Sequence, residues 1–300
     1  MSNLVNTPFG KGMTFSEIEK CREVTPADRK AILDMSDPQA VQTLLMVTPP
    51  RPKAITTDED ILMVLRGINF NAGSRSEDMV SLRIWLNAKH IIVSQNLPVR
   101  SVDVIQERLA TYATPVEVMI SLTDEIFNRI ESHISEIDGR VDEAEDLALE
   151  NPDQKHRAQI MNFRRELIAL RRYLLPQRET MMTLSRSTSK LLSGDDRETL
   201  TNQYYRAARI CDQLDALRER LSLIQEEITA ILSDRMNKNM YLLSIISLVF
   251  LPLGFITGLF GINVDGMPWT GTPLGFVIVC GLCIAAAGFI LAVMRKQKWI

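Results

Sequence analysis

The side chains best suited to handling ions share one face of a single inferred helix. Counting back from Gly258 in steps of four and three gives Gly254, Leu251, Ser247, Ser244, Met240, Asn237, Ser233, Ala230, Glu226, Leu223 and Glu219. Positions at that spacing lie on one helix face. This face is small, polar or acidic over most of its length, so it suits something wet. A ring of such helices would offer oxygens from Asn237, Ser244 and Ser247. Met240, Leu243 and Leu251 would form apolar collars, which can gate by dewetting, and Glu226 would form an acidic ring that concentrates cations. Gly254 and Gly258 would permit close helix approach. The plainer reading leaves the serine hydroxyls bonded to the preceding turn and Glu226 as an ordinary solvated residue.

The elements carrying this face are legible in the charge distribution. Between Tyr241 and Met294 the only charged side chain is Asp265. Tyr241–Phe260 and Pro273–Met294 are each long enough to cross roughly 30 Å of hydrocarbon as helices. Arg235 and Lys238 precede the first span, Arg295, Lys296 and Lys298 follow the second, and the connecting loop has no Lys or Arg. The positive-inside rule puts both termini in the cytoplasm. Pro252, inside the first span, frees the carbonyl of Leu248. Gly261-Ile262-Asn263 closes that span, with Gly261 suited to a left-handed C-terminal position.

The first 240 residues hold 36 of the 37 acids and 31 of the 34 Lys and Arg, a balance of 31 − 36 = −5. A mildly acidic surface argues against nucleic acid and allows cation attraction. Four scattered cysteines make no disulfide framework, and Met1–Gly10 has no secretory pattern. Thr25-Pro26-Ala27-Asp28 reads as a helix start. Residues 61–68 read as a buried strand, 79–86 as an alternating one with Val80, Leu82, Ile84 and Leu86 on one face, and 89–94 as a third after an Asn87-Ala88 turn. A helix is expected near 101–111.

Three long helices follow, opened by Thr114-Pro115-Val116-Glu117, Asn151-Pro152-Asp153-Gln154 and Asp195-Asp196-Arg197-Glu198. The first ends acidic (Asp142, Glu143, Glu145, Asp146, Glu150). The second is basic (Arg157, Arg164, Arg165, Arg171, Arg172, Arg178). An antiparallel hairpin would bring these charges together. Pro176 should kink or interrupt the second helix. The third, continuous to Phe260, would span roughly 95 Å. Leu214, Leu217, Leu221, Ile224, Ile228 and Ile231 give it a coiled-coil seam, for which homo-oligomerisation is the simplest partner.

The segment from Met236-Asn237-Lys238-Asn239-Met240 through Phe250-Leu251-Pro252-Leu253-Gly254-Phe255-Ile256-Thr257-Gly258-Leu259-Phe260-Gly261-Ile262-Asn263 strongly resembles the CorA superfamily of divalent-cation channels and transporters. The usual signature there is Gly-Met-Asn. The middle Ile262 is similar to the zinc-transporting ZntB branch, as are Leu65-Arg66-Gly67-Ile68-Asn69-Phe70-Asn71 and Glu77-Asp78-Met79-Val80-Ser81-Leu82-Arg83-Ile84-Trp85. The resemblance covers roughly residues 50–300. Residues 1–50 match poorly, which leaves an N-terminal strand or two in question.

The resemblance implies a CorA-like homopentameric funnel: an α+β cytoplasmic domain with a long helical stalk, plus two transmembrane helices. The expected divisions are an α/β domain at 1–112, a helix hairpin and stalk at 113–240, spans at 241–260 and 273–294 around a periplasmic loop at 261–272, and a basic tail at 295–300. It implies that Asn263 forms the outer selectivity ring and holds a metal ion through its hydration shell. Gly261 and Ile262 complete that motif, and Asp265 is an acid at the mouth. Asn237, Met240, Leu243, Ser244, Ser247, Leu251, Gly254 and Gly258 would line the conduit. Arg295, Lys296 and Lys298 resemble the family's basic collar.

The expected function is transport of a divalent metal across a bacterial inner membrane. Zinc is the expected cargo, with proton-coupled uptake and no permanently bound cofactor. The expected partners are further copies of the chain, the lipid bilayer and divalent cations, with no nucleic acid. Zinc prefers Cys and His ligands, and the stripe contains neither. Cys280 and Cys283 lie one turn apart in the second span, while His90, His133 and His156 are isolated in sequence. Asn and Ser oxygens would not readily separate zinc from magnesium, cobalt or nickel. The alternatives are therefore a CorA-type channel for those ions and a membrane-anchored coiled-coil scaffold. No nucleophile constellation or nucleotide fingerprint marks an enzyme.

Overall fold

The structure, a computed structural model, describes residues 4–18, 24–36, 38–46, 51–75, 78–150, 153–261 and 273–297. They fall into two compact units, Met1–Glu227 and Ile228–Ile300.

The first unit opens with a six-stranded sheet of order β1-β2-β6-β5-β4-β3. Its strands are β1 (Leu4–Phe9), β2 (Met13–Ile18), β3 (Lys53–Thr56), β4 (Ile61–Gly67), β5 (Val80–Leu86) and β6 (His90–Gln95). Residues 4–18 thus supply an N-terminal hairpin, so the strands in question from sequence are present. Gly10 and Gly12, at φ of 53° and 78°, take the left-handed backbone that its turn requires. β2 pairs with β6 in parallel, and every other pairing is antiparallel.

β4 is buried throughout, as its continuous apolar run predicts. β5 differs from expectation. Its alternation suggests one solvated face, yet Ser81, Arg83 and Trp85 are as buried as Leu82 and Ile84. Helices α1 (Pro26–Met35) and α2 (Pro38–Leu44) cover that face. Ile32, Val41 and Leu44 pack there in one cluster with Leu62, Trp85 and Ile92. The Arg83 guanidinium donates to the Met46 carbonyl at 2.6 Å, which helps offset its burial.

Local signals explain the element ends. The helix start expected at Thr25 forms, and Thr25 and Asp28 close it as a reciprocal capping box. The Asn87 amide oxygen accepts from the backbone N–H groups of Lys89 and His90 and closes the β5–β6 turn. Helix α3 (Arg100–Glu107) continues into a 3-10 turn, Leu109–Thr111.

Helices α4 (Pro115–Glu150), α5 (Gln154–Ser185) and the first part of α6 (Gly194–Phe260) complete this unit. Pro176 sits inside α5 without ending it. Along α5, Ile160, Phe163, Leu167, Leu170, Leu174, Gln177, Met181 and Leu184 form a buried 3–4 seam. Its one polar member, Gln177, accepts from the Arg66 backbone N–H at 2.8 Å. The α6 seam is likewise covered within the chain: Leu214, Leu217, Leu221 and Ile224 are buried. That corrects the expectation that these leucines await another copy. Each buried aliphatic of this size contributes about 1.5–3 kcal/mol.

The second unit contains the rest of α6 and α7 (Pro273–Lys296). Both helices are long and apolar enough to cross a membrane, and their apolar windows are not buried by the chain itself. Pro252 lies within α6, which continues past it to Phe260.

Candidate functional site

In the second unit the α6 face proposed from sequence is bare. Ala230, Ser233, Asn237, Met240, Ser244, Leu251, Gly254 and Gly258 are exposed, and Ser247 is half-buried. Met240, Leu243 and Leu251 are 61%, 65% and 72% exposed, far too much for core residues. A Cβ placed on Gly254 or Gly258 would meet nothing within 4 Å among the described residues. The Ser244 hydroxyl donates to the Met240 carbonyl at 2.8 Å, and Thr257 does the same to Leu253 at 3.0 Å. The plain reading therefore holds for Ser244: its hydrogen is engaged with the preceding turn, and its oxygen retains lone pairs for a second contact.

At the end of α6, the Gly261 N–H donates to the Thr257 carbonyl at 2.9 Å. Gly261 is not among the glycines at positive φ, so the left-handed cap expected there does not form. Ile262, Asn263 and Asp265 lie outside the described residues, as does Lys298. Arg295 and Lys296 occupy the last turn of α7, exposed, where cations favour the helix dipole. Between the two helices, Tyr241, Ser244, Ile245, Leu248 and Met294 line a mostly apolar cavity of about 280 Å³.

In the first unit, Glu219 and Glu226 of α6 are exposed. The same stretch of helix carries the ion pairs that lock it to its neighbours, and these differ from expectation. The acids of α4 do not pair with the arginines of α5 among the described residues. They pair with α6: Arg206 meets Asp124 at 2.7 Å and Glu131 at 2.5 Å, and Arg220 meets Asp142 at 2.5 Å together with Glu145. From α5, Arg171 makes a bidentate contact to Asp215 of α6 at 2.7 and 3.0 Å. The hydrogen bond from Arg206 holds the Glu131 carboxyl below its usual range. The bond from Arg171 does the same for Asp215.

Metal-ligand candidates remain dispersed. No group of three or more His, Cys, Asp or Glu that could hold a metal occurs among the described residues. Cys280 and Cys283 are half-buried free thiols. Cys211 is buried, and burial pushes its thiol pKa up. His133 sits between Glu136 and Glu166, with its Nε2 at 3.3 Å from a Glu166 oxygen. His156 faces Asp153, which also caps α5. Sequence reasoning missed the cap of α6: Ser193 and Asp196 exchange hydrogen bonds as a capping box. Ser193 three positions before Asp196 was the signal available.

Comparison with known proteins adds a consistent picture. Residues 20–296 match the family described as CorA-like Mg2+ transporter protein. The chain is 36% identical over 265 residues to the divalent cation transporter CmaX of Pseudomonas aeruginosa, covering 86% of this chain and 79% of that protein. It is 30% identical over 266 residues to the zinc transport protein ZntB of Pectobacterium atrosepticum, covering 88% and 81% respectively. Among solved structures, full-length CmaX superposes with a TM-score of 0.79 at 34% identity, over 96% of this chain and 89% of that one.

Proposed function

This chain belongs to the CorA-like family of Mg2+ transporter proteins, and on that footing we propose that its cargo is zinc, taken up across the bacterial inner membrane by a homopentamer. It is a divalent-cation transporter with two helices long and apolar enough to span a membrane, not an enzyme. In the finer reading, five copies of α6 turn their bare faces toward a common axis. Asn237, Ser244 and Ser247 face the ion, Met240, Leu243 and Leu251 form collars, and Glu226 gathers cations at the cytoplasmic end. Asn263, with Gly261 and Ile262, forms the outer ring around a hydrated ion. Asp265 stands at the mouth, and Arg295, Lys296 and Lys298 form the cytoplasmic collar.

The observation that carries this reading is the 3–4 stripe from Ala230 to Gly258: all of it is small or polar except Met240 and Leu251, and all of it is exposed except half-buried Ser247. A lipid-facing helix has no use for such a stripe, because polar groups in hydrocarbon are costly. Zinc is supported by the kinship with ZntB and by Ile262 in the middle of the motif. One observation favours the runner-up, a channel for magnesium, cobalt or nickel: the stripe has neither Cys nor His, the ligands zinc prefers.

Flux into proteoliposomes decides among these. Wild-type protein should carry zinc, faster with an inward proton gradient, and Asn263→Ala should abolish selective uptake. The gradient is varied directly because neither apolar run contains a carboxylate to carry a proton. Magnesium flux without zinc flux would select the runner-up. No divalent flux from intact oligomers would leave only a scaffold.

A further inference from the structure

The arginines of α5 were expected to neutralise the acids of α4, and they do not. The α4 acids are engaged by α6, where Arg220 alone has Asp138, Asp142 and Glu145 within 3.6 Å. On the other side of α6 the balance reverses. Arg165, Arg171, Arg172 and Arg218, with Ile168 and Ala169, line a surface cavity of about 510 Å³. Among the described residues, one carboxylate bonds to any of these four guanidinium groups. It is Asp215, shared by Arg171 and by Arg218 at 2.8 Å. Arg172 donates to the Tyr173 hydroxyl at 3.1 Å and stacks over its ring, which fixes its plane without neutralising it. Arg165 is exposed and has no acid partner among the described residues. Four positive charges therefore line one concavity against a single negative one.

We propose that this cavity is a binding site for a small polyphosphate anion, inorganic or nucleoside-borne. Guanidinium forks match phosphoryl oxygens two at a time, which a lysine patch cannot do. Three excess positive charges call for more anionic charge than one orthophosphate brings. The volume lies within the range of sites for small organic ligands. Half-exposed Ile168 and Ala169 give one apolar wall against which the organic part of a nucleotide would rest. Asp215, held ionised by Arg171, keeps two of the forks oriented while the other two close on the ligand.

The test is calorimetric titration of the detergent-purified full chain with sodium tripolyphosphate, then ATP, in metal-free buffer at low salt. Saturable binding is expected, weakening as salt rises. The double variant Arg165→Glu with Arg172→Glu should bind at least about tenfold more weakly, with its helical circular dichroism unchanged because neither arginine holds an acid of the fold. The variant Arg157→Glu, on the same helix but outside the cavity, should bind as wild type does. Two results would overturn the proposal: no saturable binding of either ligand by wild type at millimolar concentration, or equal losses in the Arg157 and Arg165/Arg172 variants. Binding is read without any ion flux, so this outcome is independent of the transport assay.

Discussion

Replacing Leu221 by alanine separates a seam packed within one chain from a seam packed between chains. Leu221 is fully buried in the first unit, between seam residues Leu217 and Ile224 on the α6 face that meets α4 and α5. Truncating a leucine at such a site costs about 3–4 kcal/mol, because transfer and cavity terms add. Since about 1.4 kcal/mol is a factor of ten, the opening equilibrium of this helix should rise by roughly two to three orders of magnitude. Hydrogen exchange of the full-length protein in detergent reads this directly. Amides across 210–227 should exchange at least about a hundredfold faster, while those of β4 and β5 change much less. The effect should not depend on protein concentration, because the cavity forms within one chain. Leu223, 60% exposed on the opposite face, supplies the contrast: Leu223→Ala should move these same amides by less than about 0.5 kcal/mol. An acceleration that grows on dilution would refute the intrachain packing, as would equal effects from the two variants.

Acid should loosen the α4–α6 contact. Arg206 holds Glu131 below its ordinary pKa of 4.5. A depressed carboxylate stabilises the fold above its ordinary value, and that stabilisation is lost as pH falls through the folded value. The thermal midpoint should therefore drop below about pH 4.5, more steeply in wild type than in Arg206→Met; superimposable profiles would uncouple the pair. In the second unit, a Cβ on Gly258 meets nothing within 4 Å among the described residues, so helicity should persist in Gly258→Leu. Metal flux should nevertheless fall at least about tenfold if copies of α6 approach closely there, and unchanged flux would remove that contact. The Asn263→Ala liposome experiment completes the set.

Much of this molecule could be read before any coordinate. Continuous apolar runs gave β4 and both spans, and Thr25 and Thr114 marked helix starts that formed as expected. The failures share a cause. Local pattern reports that a face is buried or charged but not what lies against it. The Leu214–Ile224 seam looked like an oligomer contact because its covering helices, α4 and α5, are separate elements earlier in the chain. The arginines of α5 looked like partners for α4 because the two helices are consecutive, whereas helix rotation presents those acids to α6. The alternation in 79–86 marked only one face of β5 as apolar, and nothing near Arg83 in sequence shows that α1 and α2 bury the other. β1 and β2 escaped notice since six residues of mixed polarity carry too little periodicity. For the proposed conduction face the stripe itself was legible, and the described residues leave all of it exposed but Ser247.

The parallel pairing of β2 with β6 has a consequence for how the protein is made. Phe15 lies opposite Ile91 in that ladder, so the first hairpin is synthesised long before the strand that receives it. Contacts of such separation form slowly. Until residue 95 has left the ribosome, residues 4–18 carry one unpaired strand edge in β2 and a second in β1. Pro8, the penultimate residue of β1, has no N–H to offer an added strand and discourages foreign strands from pairing there. The inner edge has no such guard and must be claimed by β6. Both spans lie downstream of that event, so the sheet can close on the nascent chain before the membrane receives its first helix.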